Sequence, residues 1–451
     1  MNTVLPSWTA QLRDNLNKMA EDLTATLTGW AGPSLIVTPE ECGGSIQAAI
    51  DRAHTQGGGT VLLSQGDYVS PSITLRSNIS FEVAKGSRLL GSLDLADYPE
   101  NIARRRTVQD TSMGMHQSLI FAEGCENIRI CGEGEINGRG ANFLGEETPT
   151  ATPGRPFGMR IIDCKNVHIT GITLKDSACW MQNYLHCENV LIDGITVENQ
   201  ANFNNDGIDI DGCRNVIVRN CRISSGDDAM CFKGASQATG ENILVENNLF
   251  LSSCNAVKFG TDSQGDFRNI LVRNCTIGGV SEEMRRIKHA DSDSGFSWEM
   301  MDGGTVENIW CHDIEIIRAM SPFFLRQEKR GRVKPEDPPA PIGNLRRILF
   351  EHITGYDNGP RGSYFIGIPE KDIEDIVLHD VHLYQRASVK PVIQPQDIDE
   401  MYGVYPDAHM IDDMGDAPAY GLWTRHVKGL ILSDYHVIPQ GEDPRPEIII
   451  S

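Results

Sequence analysis

The sequence lacks apolar runs long enough to cross a membrane, and basic residues are scarce. Its 451 residues include 40 lysines and arginines against 62 aspartates and glutamates, a formal net charge of −22. Such a charge argues against nucleic acid or an anionic membrane as the partner. Apolar residues nevertheless make up 40% of the chain, which is enough to bury a large core.

The first thirty residues also lack the basic start, apolar middle and small-residue cleavage site of a secretion signal. Five apolar residues recur there at steps of three and four: Leu12, Leu16, Met19, Leu23 and Leu27. This spacing predicts an amphipathic helix within residues 1–35. Because the first thirty residues do not resemble a secretion signal, we expect a cytoplasmic protein.

A repeat of short strands occupies residues 125–440. A strand begins at each of Asn127, Asn166, Asn189, Asn215, Asn242, Asn269 and Asn308, and two later copies have Arg347 and Asp375 in the Asn position. Most spacings lie in the twenties, which predicts a parallel β-helix, a coil of parallel strands. Three longer intervals imply loops inserted at 138–156, 278–303 and 327–343, and we expect these loops to wall a groove on the coil.

Segments of other types flank the repeat. Residues 36–124 contain a helix with its apolar face at Ile46, Ala49 and Ile50, a Gly57-Gly58-Gly59 break and short strands. We interpret them as a helical cap and first coils, because terminal units of repeat proteins are atypical. Residues 441–451 are expected to form a C-terminal tail.

Twelve cysteines follow the repeat rather than any zinc-binding spacing. Four of them, Cys125, Cys164, Cys187 and Cys213, precede the repeat Asn by two residues, whereas Cys221 and Cys275 follow it by six. Positions in register stack inside the coil, where free cysteine behaves as a small apolar residue. We predict buried, reduced thiols.

Three carboxylates stand at the starts of two successive strands. Asp206 precedes Gly207-Ile208, and Asp227-Asp228 precede Ala229-Met230. Aligning Gly207 with Asp228 places Ile208 on Ala229, Ile210 on Cys231 and Asp206 on Asp227. Neighbouring rungs of a coil are about 4.8 Å apart, so we expect one exposed acidic patch.

Grouped carboxylates suit cleavage of a glycosidic bond, in which one donates a proton and another activates water. Calcium is a competing interpretation, because carboxylates are hard oxygen ligands; it would draw on Asp206, Asp209, Asp211, Asp227 and Asp228. No ordered loop of ligands is visible, so we predict no metal and no other cofactor.

The motifs Asn205-Asp206-Gly207 and Gly226-Asp227-Asp228, with the repeats and the cap, resemble the polygalacturonase family of glycoside hydrolases, family 28. The likeness covers roughly residues 40–440. It implies a right-handed parallel β-helix and inverting hydrolysis of pectin. By the family pattern, Asp227 would be the general acid, and Asp206 and Asp228 would hold the attacking water.

The sequence departs from the family at two substrate-binding motifs. The family's Gly-His-Gly strand reads Cys254-Asn255-Ala256 here, so Asn255 occupies the histidine position. The family's Arg-Ile-Lys has no counterpart at the matching strand, and Arg286-Ile287-Lys288 falls within an inserted loop. We predict that Lys258 replaces the missing cation, with weaker candidates at Lys233 and Arg326. The resemblance also assigns Asn205 and Trp180 to the substrate site.

Together with the repeat, the resemblance implies an all-β glycoside hydrolase of pectin-derived (galacturonide or rhamnogalacturonan-type) or related oligosaccharides, and the expected cytoplasmic location favours exo action. Two alternatives stay open: a lyase or epimerase on the same coil, and a non-catalytic carbohydrate-binding β-helix. The expected partner is an oligosaccharide, and a homo-oligomer is also left open.

Overall fold

The chain forms a parallel β-helix in two sheets. A computed structural model describes residues 4–28, 32–105, 107, 116–143, 154–280, 290–332 and 338–451. One sheet has 21 strands, which we call the long sheet, and the other has 12, which we call the site sheet. Every pairing between named strands is parallel, and parallel crossovers are right-handed almost without exception, so the predicted right-handed β-helix is confirmed.

The strands alternate between the two sheets once per coil. The site sheet contains Ile73–Thr74, Ser118–Glu123, Phe157–Ile162, Gln182–Leu185, Ile208–Asp211, Met230–Lys233, Asn255–Phe259, Ser292–Met300, Ala319–Gln327, Ser363–Ile366, Leu422–Arg425 and Ile448–Ile450. The long sheet contains Ile36–Val37, Gly59–Leu63, Gly66–Ser70, Ile79–Val83, Ser87–Gly91, Glu126–Cys131, Glu135–Asn137, Lys165–Thr170, Thr173–Lys175, Glu188–Asp193, Thr196–Asn199, Arg214–Arg219, Arg222–Ser225, Gly240–Glu246, Leu249–Ser252, Phe267–Gly279, Thr305–Ile317, Asn344–Asn358, Ile373–Arg386, Val427–Lys428 and Ile431–Gln440.

Inward-facing side chains fill the coil in stacks. Phe232 lies over Phe259 with ring centroids 4.4 Å apart, and Phe259 meets Trp298 edge-on at 4.9 Å. Both contacts join residues on adjacent rungs of the site sheet. Because side chains alternate between the two faces of a strand, the residues next to Phe232, Phe259 and Trp298 on each strand point outward, toward the site described below.

The repeat asparagines form the predicted ladder. Each has left-handed backbone angles, and each side-chain amide donates to the asparagine of the preceding coil, from Asn127 to Asn308. The ladder begins one coil earlier than predicted, because Asn127 donates to Asn78 at 2.8 Å. Arg347 and Asp375 keep the same left-handed turn without an amide. The ladder is therefore scaffold.

Two α-helices accompany the coil in the part of the chain that the structure describes. The first, Ser7–Leu27, confirms the amphipathic helix and buries Leu12, Leu16 and Leu23 against outward apolar residues of the long sheet. The second helix, Ile46–Thr55, is preceded by the N-cap residue Ser45, whose hydroxyl accepts a hydrogen bond from the Ala48 amide. This helix packs on the first strands. Only the second helix closes an end of the coil. None of the helices in the described residues is long and apolar enough to span a membrane.

All twelve cysteines lie within the described residues and are free thiols, and all except Cys42 are buried. The ones at repeat positions stack on successive coils; the Cys187 amide, for example, approaches the Cys213 sulfur at 3.2 Å. The predicted burial of the cysteines at repeat positions is confirmed. Burial raises the pKa of Cys221 and Cys275 to about 12, so these two thiols stay neutral.

Loops cover part of the site sheet. Residues 387–421 pack over its last strands through a buried apolar cluster that includes Phe324, Tyr364 and Trp423. Trp423 is 1% exposed and packs within this cluster. The three inserted loops are described only in part, and Arg286-Ile287-Lys288 lies outside the described residues. Ile448–Ile450, in the expected tail, pair with Leu422–Arg425.

Candidate active site

The structure corrects the register between the two aspartate strands by one residue. Ile208 pairs with Met230 and Ile210 with Phe232, rather than with Ala229 and Cys231. The doubled carboxylate of Asp227-Asp228 adds one residue to its turn, so Asp206 corresponds to Asp228. A shift of one residue reverses which side chains of the second strand face outward, so Lys233 shares the outward face with Asp209 and Asp211.

The site is also more enclosed than predicted. Asp206 is 2% exposed and Asp228 is 3% exposed, whereas Asp227 is half-buried. The prediction of an exposed acidic patch was therefore wrong for Asp206 and Asp228. The three carboxylates do lie on adjacent coils of the site sheet, with the Gly207 amide donating to the Asp228 carbonyl at 2.9 Å.

Close backbone packing explains the glycine after Asp206. A Cβ on Gly207 would lie 2.6 Å from the Ala229 carbonyl oxygen and 2.5 Å from a methyl of Ile223, so no larger residue fits. Asn205 fixes the other side of this turn. Its amide donates to the carbonyls of Ser177 at 2.9 Å and Cys179 at 3.0 Å.

Asn205 has no exposed surface, and both amide hydrogens are used within the protein. The predicted contact of Asn205 with substrate does not fit this placement. We assign Asn205 a positioning role beneath Asp206.

Hydrogen bonds accepted by its backbone carbonyl and by its carboxylate hold Asp227 in place. Its carbonyl accepts from the hydroxyls of Ser225 at 2.5 Å and Ser252 at 2.7 Å, while its carboxylate accepts from the Asp228 amide at 3.0 Å. The turn is thus anchored on two coils. Asp227 is also the most accessible of the three predicted catalytic carboxylates.

Asp228 is held by an amide and an ammonium. Asn255 donates to one carboxylate oxygen at 2.9 Å, and the Lys258 nitrogen lies 3.4 Å from the other. Asn255 is oriented in turn by Ser294, whose hydroxyl donates to the Asn255 oxygen at 2.6 Å. The residue in the family's histidine position therefore supports Asp228 directly.

Lys258 is 4% exposed and lies between two carboxylates, because Glu299 is 3.5 Å away on its other side. Burial opposes its charge, but Asp228 and Glu299 outweigh that effect and raise the pKa of Lys258 well above its usual value. Burial raises the pKa of Glu299 to about 8, so Glu299 is mostly protonated at neutral pH. The remaining pair, Lys258 with Asp228, is then electrically balanced.

A second cluster surrounds Asp206. Lys233 lies 3.3 Å from Asp209 and 3.7 Å from Asp206, and its nitrogen is 4.4 Å from the ring centre of Trp180. Burial raises the pKa of Asp209 to about 7, and burial together with Asp209 and Asp227 raises that of Asp206 well above its ordinary value. Two carboxylates facing one ammonium retain one proton between them near neutral pH.

Trp180 and Arg326, both predicted to contact substrate, are buried. Trp180 is 6% exposed and packs edge-on against Phe157 at 5.4 Å. Arg326 is fully buried, donates to the Glu400 carbonyl at 2.9 Å and lies 3.6 Å from Glu328. Arg326 therefore anchors the covering loop, and a direct contact with substrate does not fit its placement.

The five aspartates proposed as calcium ligands do not form one set. Asp206 and Asp209 share Lys233, Asp228 pairs with Lys258, and Asp211 accepts from the Ser236 amide at 3.0 Å. Carboxylate oxygens of Asp227 and Asp228 do lie within 4.8 Å of each other and of the Cys254 sulfur. A thiol is a poor calcium ligand, and Lys258 already balances Asp228, so this group is a poor fit to calcium.

Sequence reasoning missed Glu299 and Asp407, which approach the site from later elements. Asp407 belongs to the covering loop, and its charge contributes to the raised pKa values of Lys258 and Glu299. Glu299 could have been found from its strand, because it lies two residues after Ser297, the register partner of Lys258. Nothing in the local sequence signals Asp407.

The chain belongs to glycosyl hydrolases family 28, whose profile matches residues 73–397. It is therefore a glycoside hydrolase. A probable exopolygalacturonase B from Aspergillus flavus is 25% identical over 374 residues, covering 78% of this chain and 82% of that protein. A probable polygalacturonase from Vitis vinifera is 25% identical over 187 residues, which span 38% of its own length and 40% of this chain.

Solved structures share the fold. A hyperthermoactive exopolygalacturonase from Thermotoga maritima superimposes with a TM-score of 0.68 at 19% identity, covering 93% of this chain and 96% of that one. A family 28 exopolygalacturonase from Yersinia enterocolitica gives a TM-score of 0.65 at 18% identity, covering 93% of this chain and 78% of that one.

Proposed function

We propose that the protein is an inverting, exo-acting hydrolase of pectin-derived oligosaccharides of the galacturonide type. The observation that carries the proposal is the division of labour among the three aspartates. Asp227 is open enough to reach a leaving oxygen, whereas Asp206 and Asp228 are enclosed on the neighbouring coils. One accessible acid beside two held carboxylates offers a proton donor and two acceptors for water, although the Asp227 and Asp228 oxygens, within 4.8 Å of each other, are closer than the roughly 6.5–9.5 Å usual between the carboxyl groups of inverting enzymes.

In this mechanism Asp227 protonates the glycosidic oxygen as the bond to the anomeric carbon breaks. Asp228, paired with Lys258, accepts a proton from the attacking water, and Asp206 accepts a second hydrogen bond from that water. The Asp206–Asp209–Lys233 cluster keeps one proton that its members share. Water adds to the face opposite the leaving group, so the anomeric configuration inverts.

Two observations support exo action on short chains. Residues 387–421 pack over the last strands of the site sheet, and the charge of Asp407 in this segment acts on Lys258, so the segment lies beside the site. The fungal relative is named an exopolygalacturonase. Eleven buried free cysteines also support the cytoplasmic location proposed from the sequence, where short imported saccharides would be the available substrate.

The test is product analysis with purified protein and a size series of oligogalacturonides, with rhamnogalacturonan oligosaccharides assayed in parallel. We expect release of single terminal residues, a first-formed anomer of inverted configuration by proton NMR, and no sensitivity to a chelator. Asp227→Asn should lower kcat by on the order of a hundredfold or more. The matched control is Asp413→Asn, at an exposed aspartate of the covering loop.

Three results would each overturn a different part of the proposal. Unsaturated, ultraviolet-absorbing products that disappear with chelator would indicate a lyase. Retained configuration would contradict the assigned roles of Asp206 and Asp228. Saturable binding of oligosaccharide without any product would indicate a binding protein.

A further inference from the structure

Imidazoles and carboxylates gather on the long sheet, in its last three coils. The left-handed turn that holds Asn220, Asn247 and Asn274 in earlier coils holds Asp313, His352, Asp380 and Asp434 in later ones, with φ between 50° and 55°. His382 and His436 follow two residues after the last two aspartates and pair in register. Neutral amides thus give way to charged and metal-ligating side chains in the same turn.

The geometry brings donor atoms of both kinds together. The His382 Nε2 atom lies 3.0 Å from Asp380 and 3.7 Å from Asp434, and one donor atom from each of the three residues lies within 4.8 Å of the other two. His436 presents Nε2 to the other oxygen of Asp434 at 3.1 Å, and the His382 and His436 rings stack with centroids 5.4 Å apart. His352 Nε2 is 3.8 Å from Asp380 on the far side.

The charges of Asp380 and Asp434 also favour a bound cation. Asp380 and Asp434 lie on consecutive coils, where two stacked carboxylates repel each other. Among the described residues, their ion-pair partners are histidines rather than lysine or arginine. A divalent cation bound between Asp380 and Asp434 would offset this repulsion.

We propose that Asp380, His382 and Asp434 form a structural site for a divalent transition metal of the zinc class, with His436 beside Asp434 and water completing the coordination. Imidazole nitrogen and carboxylate oxygen are both zinc ligands at about 2.0–2.2 Å, and tetrahedral bonds of that length place ligand atoms roughly 3.3–3.6 Å apart. The His382–Asp380 and His382–Asp434 separations of 3.0 and 3.7 Å bracket this range. Calcium is a poor candidate, because it prefers six or more oxygens.

The metal would join strands Ile373–Arg386 and Ile431–Gln440, with His352 adding a contact from strand Asn344–Asn358. Coils of a repeat protein contact only their neighbours, so the terminal coils unfold most readily. A bond between the last coils therefore stabilises the end of the β-helix. The site lies on the long sheet and takes no part in hydrolysis.

The experiment titrates Zn²⁺ alone into protein freed of metal by a chelator and dialysis, using calorimetry. Asp434→Asn and Asp380→Asn are the test variants, because Asn tolerates the left-handed angles that both positions require. Asp163→Asn is the matched control: Asp163 has φ of 50° and pairs with His186 at 2.6 Å, but its other partner is Arg105.

We expect one equivalent of Zn²⁺ to bind the natural protein and the control, with at least tenfold weaker binding to each test variant. Zn²⁺ should raise Tm only where it binds, since a ligand of the folded state stabilises that state. Co²⁺ should give intensified visible absorption that Asp434→Asn abolishes. Failure to bind Zn²⁺, or unchanged affinity in both test variants, would overturn the proposal.

Discussion

Removing the ammonium of Lys258 distinguishes two roles for this residue. The sequence predicted a contact with a substrate carboxylate, whereas the structure places Lys258 against Asp228 and Glu299. Lys258→Met keeps the length of the side chain and removes its charge. If Lys258 binds substrate, the variant should have a higher KM; if it keeps Asp228 ionised, kcat should fall.

The distance sets the magnitude. Two unit charges 3.4 Å apart at an effective dielectric of 20 attract by about 5 kcal/mol. Losing that interaction makes the enclosed Asp228 carboxylate protonate more readily. Asn255 and entering water recover part of the loss, so we expect kcat to fall by on the order of a hundredfold rather than the several thousandfold that about 5 kcal/mol represents. The acid limb of the pH–rate profile should move to higher pH.

The assay is initial-rate hydrolysis of an oligogalacturonide across a range of pH. Lys329→Met is the control, because Lys329 also pairs with a carboxylate, Glu370, but is 46% exposed. An unchanged kcat and acid limb with a raised KM would refute the ionising role and restore the substrate contact. Unchanged kcat and KM together would refute both.

Three further predictions follow from the same structure. Asp209 has a folded pKa of about 7, above that of an unfolded aspartate, so its contribution to stability is present at low pH and is lost as pH rises through 7. The unfolding free energy measured in urea should therefore decline between about pH 4 and 7, and Asp209→Asn should reduce this decline. An identical decline in the variant would contradict the assignment. Asn255→Asp replaces the donor to Asp228 with a second carboxylate, and we expect at least a tenfold loss of kcat with little change in Tm; full activity would rule out the support role. Leu16→Ala should cost roughly 3 kcal/mol of unfolding free energy with kcat preserved, whereas Leu93→Ala, at a 47% exposed leucine, should cost little in the same thermal melts.

The sequence alone determined the fold because the β-helix is specified locally. Each coil needs a left-handed turn, an alternating strand and a small core residue, and these recur at fixed offsets that can be counted along the chain. The asparagine ladder and the stacked cysteines follow from that register. The first helix was predictable for the same reason, since its spacing is a local property.

Only the tertiary structure decided how the acidic residues divide their roles. One extra residue in the turn of Asp227-Asp228 shifts the register and turns Lys233 outward beside Asp209, and the pairing with the next strand brings Lys258 to Asp228. Burial and charge pairing depend on which neighbours surround a side chain, so no local pattern could predict the enclosure of Asp206 or the protonation of Glu299. The covering loop joins the site from residues far along the chain, and its position depends on the packing of the last coils.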